Sequence, residues 1–194
     1  MRRKTFDALA TSAGLVLVAI LVVAGVLLTW GHSFVNNEVH TQLAAQQIYF
    51  PASNSPAIKA PEFAAMHQYA GQQMTTGAQA EVYADHFIAN HLKAIGGGKT
   101  YAQLSAQSLA QPKNAALAAQ VQTVFRGETL RGLLLNAYAF WEMGQIMLIA
   151  AIAAFAAAAL MLILSALGIA HLRRAAPTAE VLPGLAAGAK SVVA

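Results

Sequence analysis

Gly96, Gly97, Gly98, Lys99 and Thr100 end like a phosphate-binding loop. Such a loop cradles phosphates with backbone N–H groups, but it needs a glycine five positions before the last one and a strand leading into it. Position 93 is Lys, and the preceding stretch reads as helix. A glycine helix stop followed by a threonine helix start accounts for the same residues, so no nucleotide is expected.

The histidines invite a metal reading. His86 and His91 are five residues apart, and on an α-helix that leaves the imidazoles about 140° apart, unlike the i, i+4 pair of a zinc-protease helix. His91 falls on an apolar stripe with Phe87, Ile88, Leu92 and Ile95, so it is expected hydrogen-bonded and partly buried, with His86 outside. His32 and His40 are about 12 Å apart along a helix, too far for one ion. Glu81, Asp85 and His67 could meet from separate helices, although Glu81 and Asp85 also suit the first turns of a helix, where the macrodipole favours acids. No metal ligand is assigned.

Catalytic signatures are missing from the sequence. There is no G-x-S-x-G, no H-E-x-x-H and no glycine-rich dinucleotide fingerprint. Zero Cys excludes disulfides, thiol nucleophiles, Fe–S clusters and Cys-ligated zinc. No catalytic residue, cofactor site or cofactor is expected. The charged trio Arg126, Glu128 and Arg131 stands out instead. Glu128 and Arg131 have the spacing of an intrahelical ion pair, and the trio is a candidate contact for a partner or a lipid headgroup.

The elements that must carry these residues are set by the membrane. The chain of 194 residues is 57% hydrophobic and 10% charged, with mean hydropathy +0.51. Residues 8–30 contain no charge and are long enough to cross roughly 30 Å of hydrocarbon as a helix. Their length and the following Trp30, Gly31, His32 and Ser33 favour an uncleaved anchor over a signal peptide. A second uncharged run covers 143–170 and ends at His171, Leu172, Arg173 and Arg174. The expected organisation is a cytoplasmic N-terminus over 1–7, a first span over 8–30, an extracytoplasmic helical domain over 31–141, a second span over 142–170, and a disordered cytoplasmic tail over 171–194. Trp30 and Trp141, at facing ends of an antiparallel hairpin, would form an interfacial aromatic belt.

Charge gives the orientation. Six basic residues against two acidic ones lie at the two ends, while six face six over 31–142, Glu142 included, so the whole net charge of +4 is terminal. Positive-inside bias places both termini in the cytoplasm and the central domain outside a plasma membrane. The pI of 9.6 is thus a topology signal, and no nucleic-acid partner is expected.

The central region has no strand alternation and is rich in Ala, Gln, Leu and Met, which predicts an all-α bundle between two antiparallel spans. The first span should continue as helix through 32–47. Helices should follow from Pro61, from about 78 to 95, from Thr100 (a capping box with Gln103) to about 110, and from Asn114 unbroken into the second span. Glu142, beside Trp141, needs a partner or headgroups at that depth, and His32 is its expected neighbour. Small residues, Ala13, Gly14 and Gly25 in the first span and AAIAAFAAAALM in the second, predict close packing with each other and with further membrane helices, from a second copy of the chain or a partner subunit.

The segments QLAAQQIYFP (42–51), YADHFIANHL (83–92), GGKTYAQLSAQS (97–108) and FRGETLRGLLLNAYAFW (125–141) resemble uncharacterised two-span membrane proteins of high-GC Gram-positive bacteria with an external helical domain. The resemblance covers nearly the whole chain. It implies a plasma membrane, and it assigns no functional residue. The leading expectation is a non-enzymatic membrane protein acting through protein contacts, as an oligomer or an accessory subunit of a membrane complex. An extracytoplasmic ligand-sensing module that signals through a separate partner is the alternative, and a metal-dependent surface enzyme is the third.

Overall fold

A computed structural model describes residues 3–174. Of the tail over 171–194, expected to be disordered, residues 171–174 are helical, an extension of the long C-terminal helix, and 175–194 lie outside the described residues. Helix α1 runs over Arg3–Ala45, and α5 over Ala115–Arg174. Between them come a 3-10 turn at Pro56–Ile58, a 3-10 segment at Pro61–Tyr69, α2 at Gly77–Val82, a π-helical turn at Tyr83–Ile88, α3 at Ala89–Ile95 and α4 at Tyr101–Ala110. Among the described residues there is no strand, only an isolated bridge between Tyr49 and Gln73. Both α1 and α5 are long and apolar enough to cross a membrane.

The chain divides into two compact units, one of Gly31–Ile146 and one of the residues before and after it. In the central unit, α1 ends where Gln47 takes a left-handed φ of 52° and turns the chain. Phe50 N–H then donates to the Gln72 carbonyl and Met74 N–H to the Ile48 carbonyl, both at 2.8 Å, clamping the loop between them. Phe50, Ile58, Met66 and Met74 fill the core under this clamp, with Val39 and Leu43 from α1 and Leu134 from α5. Fully burying one such side chain contributes about 1.5–3 kcal/mol. A smaller cluster joins Leu104 of α4 to Val121 and Val124 of α5.

Two local differences from the sequence reading have physical causes. The helix expected from Pro61 is 3-10 rather than α. Phe63, Met66 and Tyr69 recur every three residues, and at three residues per turn all three face the core together. The second difference lies between α2 and α3. Thr76 and Gln79 form a capping box that starts α2, and the π turn then adds one residue to the helical cycle. The added residue rotates everything after it. His91, expected hydrogen-bonded and partly buried, is hydrogen-bonded but exposed, while His86, expected outside, is half-buried.

In the other unit, the buried positions of α5 include Ala151, Ala158 and Ser165, seven residues apart, the spacing of a coiled-coil seam. Gly14 faces Ser165, Gly25 faces the Phe155 ring and Gly168 faces Thr11. A Cβ on Gly25 would lie 2.8 Å from that ring, so glycine is what permits the approach. Asp7 and His171 lie 3.7 Å apart. The outward positions, among them Val16, Ile20, Val23 and Leu27, are exposed.

Candidate functional site

The central unit contains a cleft of about 640 Å³. One wall is a stripe on α5, where Thr123, Gly127, Leu130, Leu134 and Ala137 recur at three- and four-residue steps and so share a helix face. The π turn and α3 supply Tyr83, Phe87, Ile88, Leu92 and Ile95, and the end of α1 supplies Gln42, Leu43 and Gln46. Gly127 lets α3 close on α5, since a Cβ there would sit 2.3 Å from a Leu92 methyl carbon. The Gln120 side-chain amide ties the same helices together by donating to the Ile95 carbonyl at 2.6 Å.

The lining is apolar and holds no Asp, Glu, Lys or Arg. Burial pushes the Tyr83 hydroxyl above its usual pKa, so the phenol is neutral, and its ring packs on Phe50 and Phe87 with centroids 5.4 and 4.8 Å away. His91 packs at a tilt against Phe87 and Phe63, with centroids 4.4 and 5.6 Å away. Its Nδ1 lies 2.7 Å from the Phe87 carbonyl. A carbonyl only accepts, so Nδ1 carries a proton, and Nε2 is the one ring nitrogen that can hold an acceptor lone pair. The Thr123 hydroxyl donates to the Ala119 carbonyl at 3.0 Å, which leaves its oxygen able to accept. These groups can orient a molecule, but they are not a nucleophile and base pair.

Beside the cleft, Arg131 Nη2 meets Asp85 Oδ1 at 2.7 Å, and Nη1 lies 3.7 Å from Glu128 Oε2. The intrahelical pair is thus present, but the shorter contact goes to the π turn. Sequence spacing could not show it, because the partners are 46 residues apart. Arg126 is exposed and makes no ion pair among the described residues. Nor do three His, Asp or Glu come together there as a metal set: Asp85 is engaged by Arg131. Glu81 acts elsewhere, its charge being the main cause that raises the Tyr138 pKa, followed by desolvation and the Glu142 charge.

Trp141 is half-buried, offset on Tyr138 and packed directly over Gly77. Trp30 is exposed. His32 is half-buried, and its Nδ1 donates to the Gly144 carbonyl at 2.9 Å. The histidine is therefore bound to backbone two residues beyond Glu142, and the Glu142 side chain is exposed, with no ion pair joining the two. The glycine run behaves as a helix stop. Gly97 and Gly98 take φ of 58° and 77°, Gly98 N–H reaches back to the Lys93 carbonyl, and Thr100 caps α4 in a box with Gln103.

No protein-family model, no curated protein and no solved structure matches this chain.

Proposed function

We propose that this chain is a two-span membrane protein that presents a helical ligand-binding domain outside the plasma membrane, both termini lying in the cytoplasm. The observation that carries the binding role is the uncharged cleft between α1, the π turn, α3 and α5. A concave apolar site of several hundred Å³ with a few polar groups is the usual form of a small-molecule site. The pairs Asp7 with His171, Thr11 with Gly168, Gly14 with Ser165 and Gly25 with Phe155 descend in one helix as they ascend in the other, which supports an antiparallel hairpin of the two spans. Charge confined to the ends supports the orientation.

The reading as an accessory subunit or oligomer acting through protein contacts keeps one observation in its favour: Arg126, exposed and unpaired among the described residues. The seam of Ala151, Ala158 and Ser165 packs within the chain, while Ala153, Ala156 and Ala159 on the other faces are exposed and leave room for a further helix. Native mass in detergent tests this second reading, and a monomer without a co-purifying subunit removes it.

Topology tests the first. A membrane-impermeant thiol reagent on intact cells should label a single cysteine placed at Gly98 and leave one at Arg3 unlabelled until the cells are permeabilised. The opposite pattern refutes the orientation, and labelling of both refutes the first span.

A further inference from the structure

The cleft's chemistry defines its occupant more closely than "apolar". Along α5 the lining stripe extends from Thr123 to Ala137, fourteen residues and about 21 Å of helix. One leaflet of a bilayer is about half of a 30 Å hydrocarbon core, so the stripe is long enough for one extended acyl chain and a small head. It is a single row of side chains, which suits one chain rather than two. The one polar residue of the stripe, Thr123, is at its end remote from Trp141, and Leu130, Leu133, Leu134 and Ala137 line the remainder toward it; His91 of α3, Tyr83 of the π turn, and Gln42 and Gln46 of α1 are the cleft's other polar groups. Ala137 is one helical turn before Trp141, the tryptophan expected at the interface.

The polar end is selective. The Thr123 oxygen and the His91 ring nitrogen left free by the Phe87 carbonyl both offer acceptor positions there, and no Lys or Arg lines the cleft. A carboxylate or phosphate placed in it would lose water without gaining a counter-charge, which is costly, whereas a hydroxyl could donate to either acceptor. We infer that the cleft binds a neutral, hydroxyl-headed single-chain lipid, of the long-chain alcohol or monoacylglycerol class, with its head at Thr123 and His91 and its chain along Leu130 to Ala137. This deepens the ligand-binding reading and rests on it. Leu130 and Leu133, exposed as the cleft stands, would be covered by the chain.

The test uses the full chain in nanodiscs at about pH 8, where histidine is mostly neutral. Hexadecanol bearing a mid-chain diazirine is photolysed with it, and adducts are mapped by mass spectrometry. Adducts are expected on 83–95 and 123–137 and be removed by excess 1-palmitoylglycerol, while those on the spans persist because partition into bilayer does not saturate. Palmitate should compete at least about tenfold less well, the equivalent of ~1.4 kcal/mol. Leu130→Trp, which fills the cleft, should lower cleft adducts about tenfold or more, and Leu109→Trp, at an exposed site away from it, should leave them unchanged. Melting temperatures of both variants report that they fold. If Leu130→Trp does not fold, Ala137→Leu serves in its place.

Adducts confined to the spans overturn the cleft proposal while leaving the membrane reading intact. Saturable cleft adducts without span adducts support the cleft and remove the membrane reading. Equal competition by palmitate overturns the neutral head, and undiminished labelling of the filled variant overturns the site.

Discussion

Replacing Gly77 with Ala should destabilise the central domain, and replacing Gly132 with Ala should stabilise it. The two glycines are both helical, and in a helix interior Gly→Ala is favourable by about 0.5–1 kcal/mol. Gly132 has no neighbouring atom within 4 Å of an added Cβ, so it should gain about that amount. At Gly77 the added carbon would lie 2.3 Å from Trp141 Cβ and 2.6 Å from its Cγ. Those atoms sit next to the α5 backbone and cannot swing aside, so α2 must move off α5. Overpacking of this kind costs about 1–3 kcal/mol and exceeds the small propensity gain at a first helical position. The expected net loss is about 1–2 kcal/mol. For a domain of this size that lowers the melting temperature by roughly 4–8 °C, with a rise of a few degrees for Gly132→Ala. Far-UV circular dichroism melts of the full chain in detergent measure both, and in a Trp30→Phe background the fluorescence of Trp141 reports the displaced contact directly. A Gly77→Ala variant that melts at or above the parent temperature, with unchanged emission, refutes the packing of Trp141 on α2.

Three further outcomes are expected. A double-mutant cycle on Asp85→Asn and Arg131→Leu should give a coupling of about 0.5–1 kcal/mol that shrinks in high salt, because the pair is short but half-exposed; zero coupling at low salt removes the link between the π turn and α5. Below the ordinary tyrosine value near 10, Tyr83 is protonated both folded and unfolded; as pH rises past 10 the unfolded form ionises first, so stability falls until the raised folded pKa is passed. Tyr138, raised by the Glu81 charge, acts in the same direction, and Tyr83→Phe should make the alkaline loss smaller in pH-dependent melts; an unchanged loss excludes the buried phenol as its source. Cysteines at His32 and Glu142 should join through a short crosslinker while those at Asn37 and Glu142 do not, since His32 bonds the Gly144 backbone; the reverse preference would mean that the register of α1 on α5 is wrong.

Helix positions were legible in the sequence where punctuation was strong. Pro, the glycine run and the Thr100 capping box mark ends that the structure places within a few residues. The two long apolar helices needed only their uncharged length. What escaped was anything that depends on phase or on distant pairing. Phe63, Met66 and Tyr69 look like an α-helical segment until the core demands that all three point one way. The π turn leaves no mark in composition, and the stripe of Phe87, Ile88, His91, Leu92 and Ile95, read as a buried face, lines an open cleft in which His91 is exposed. The cleft was missed for the same reason. Its lining comes from α1, the π turn, α3 and α5, each contributing residues that read separately as ordinary core. Asp85 read as a helix-dipole acid because its partner, Arg131, is an α5 residue that only tertiary packing brings near.

The wide turn over Tyr83–Ile88 makes the cleft sensitive to chain length rather than to chemistry. Removing one residue from it, for example Ala84, would let the segment relax to an uninterrupted α-helix and turn all that follows by about 100°. Leu92 would leave Gly127, and His91 would leave the ring of Phe63, without a single side chain in α3 having changed. The domain thus holds the shape of its cleft by counting. Substitutions within the turn can be absorbed as long as the number of residues is kept, whereas a one-residue deletion works like a slipped gear tooth, presenting a different face of the same helix to α5.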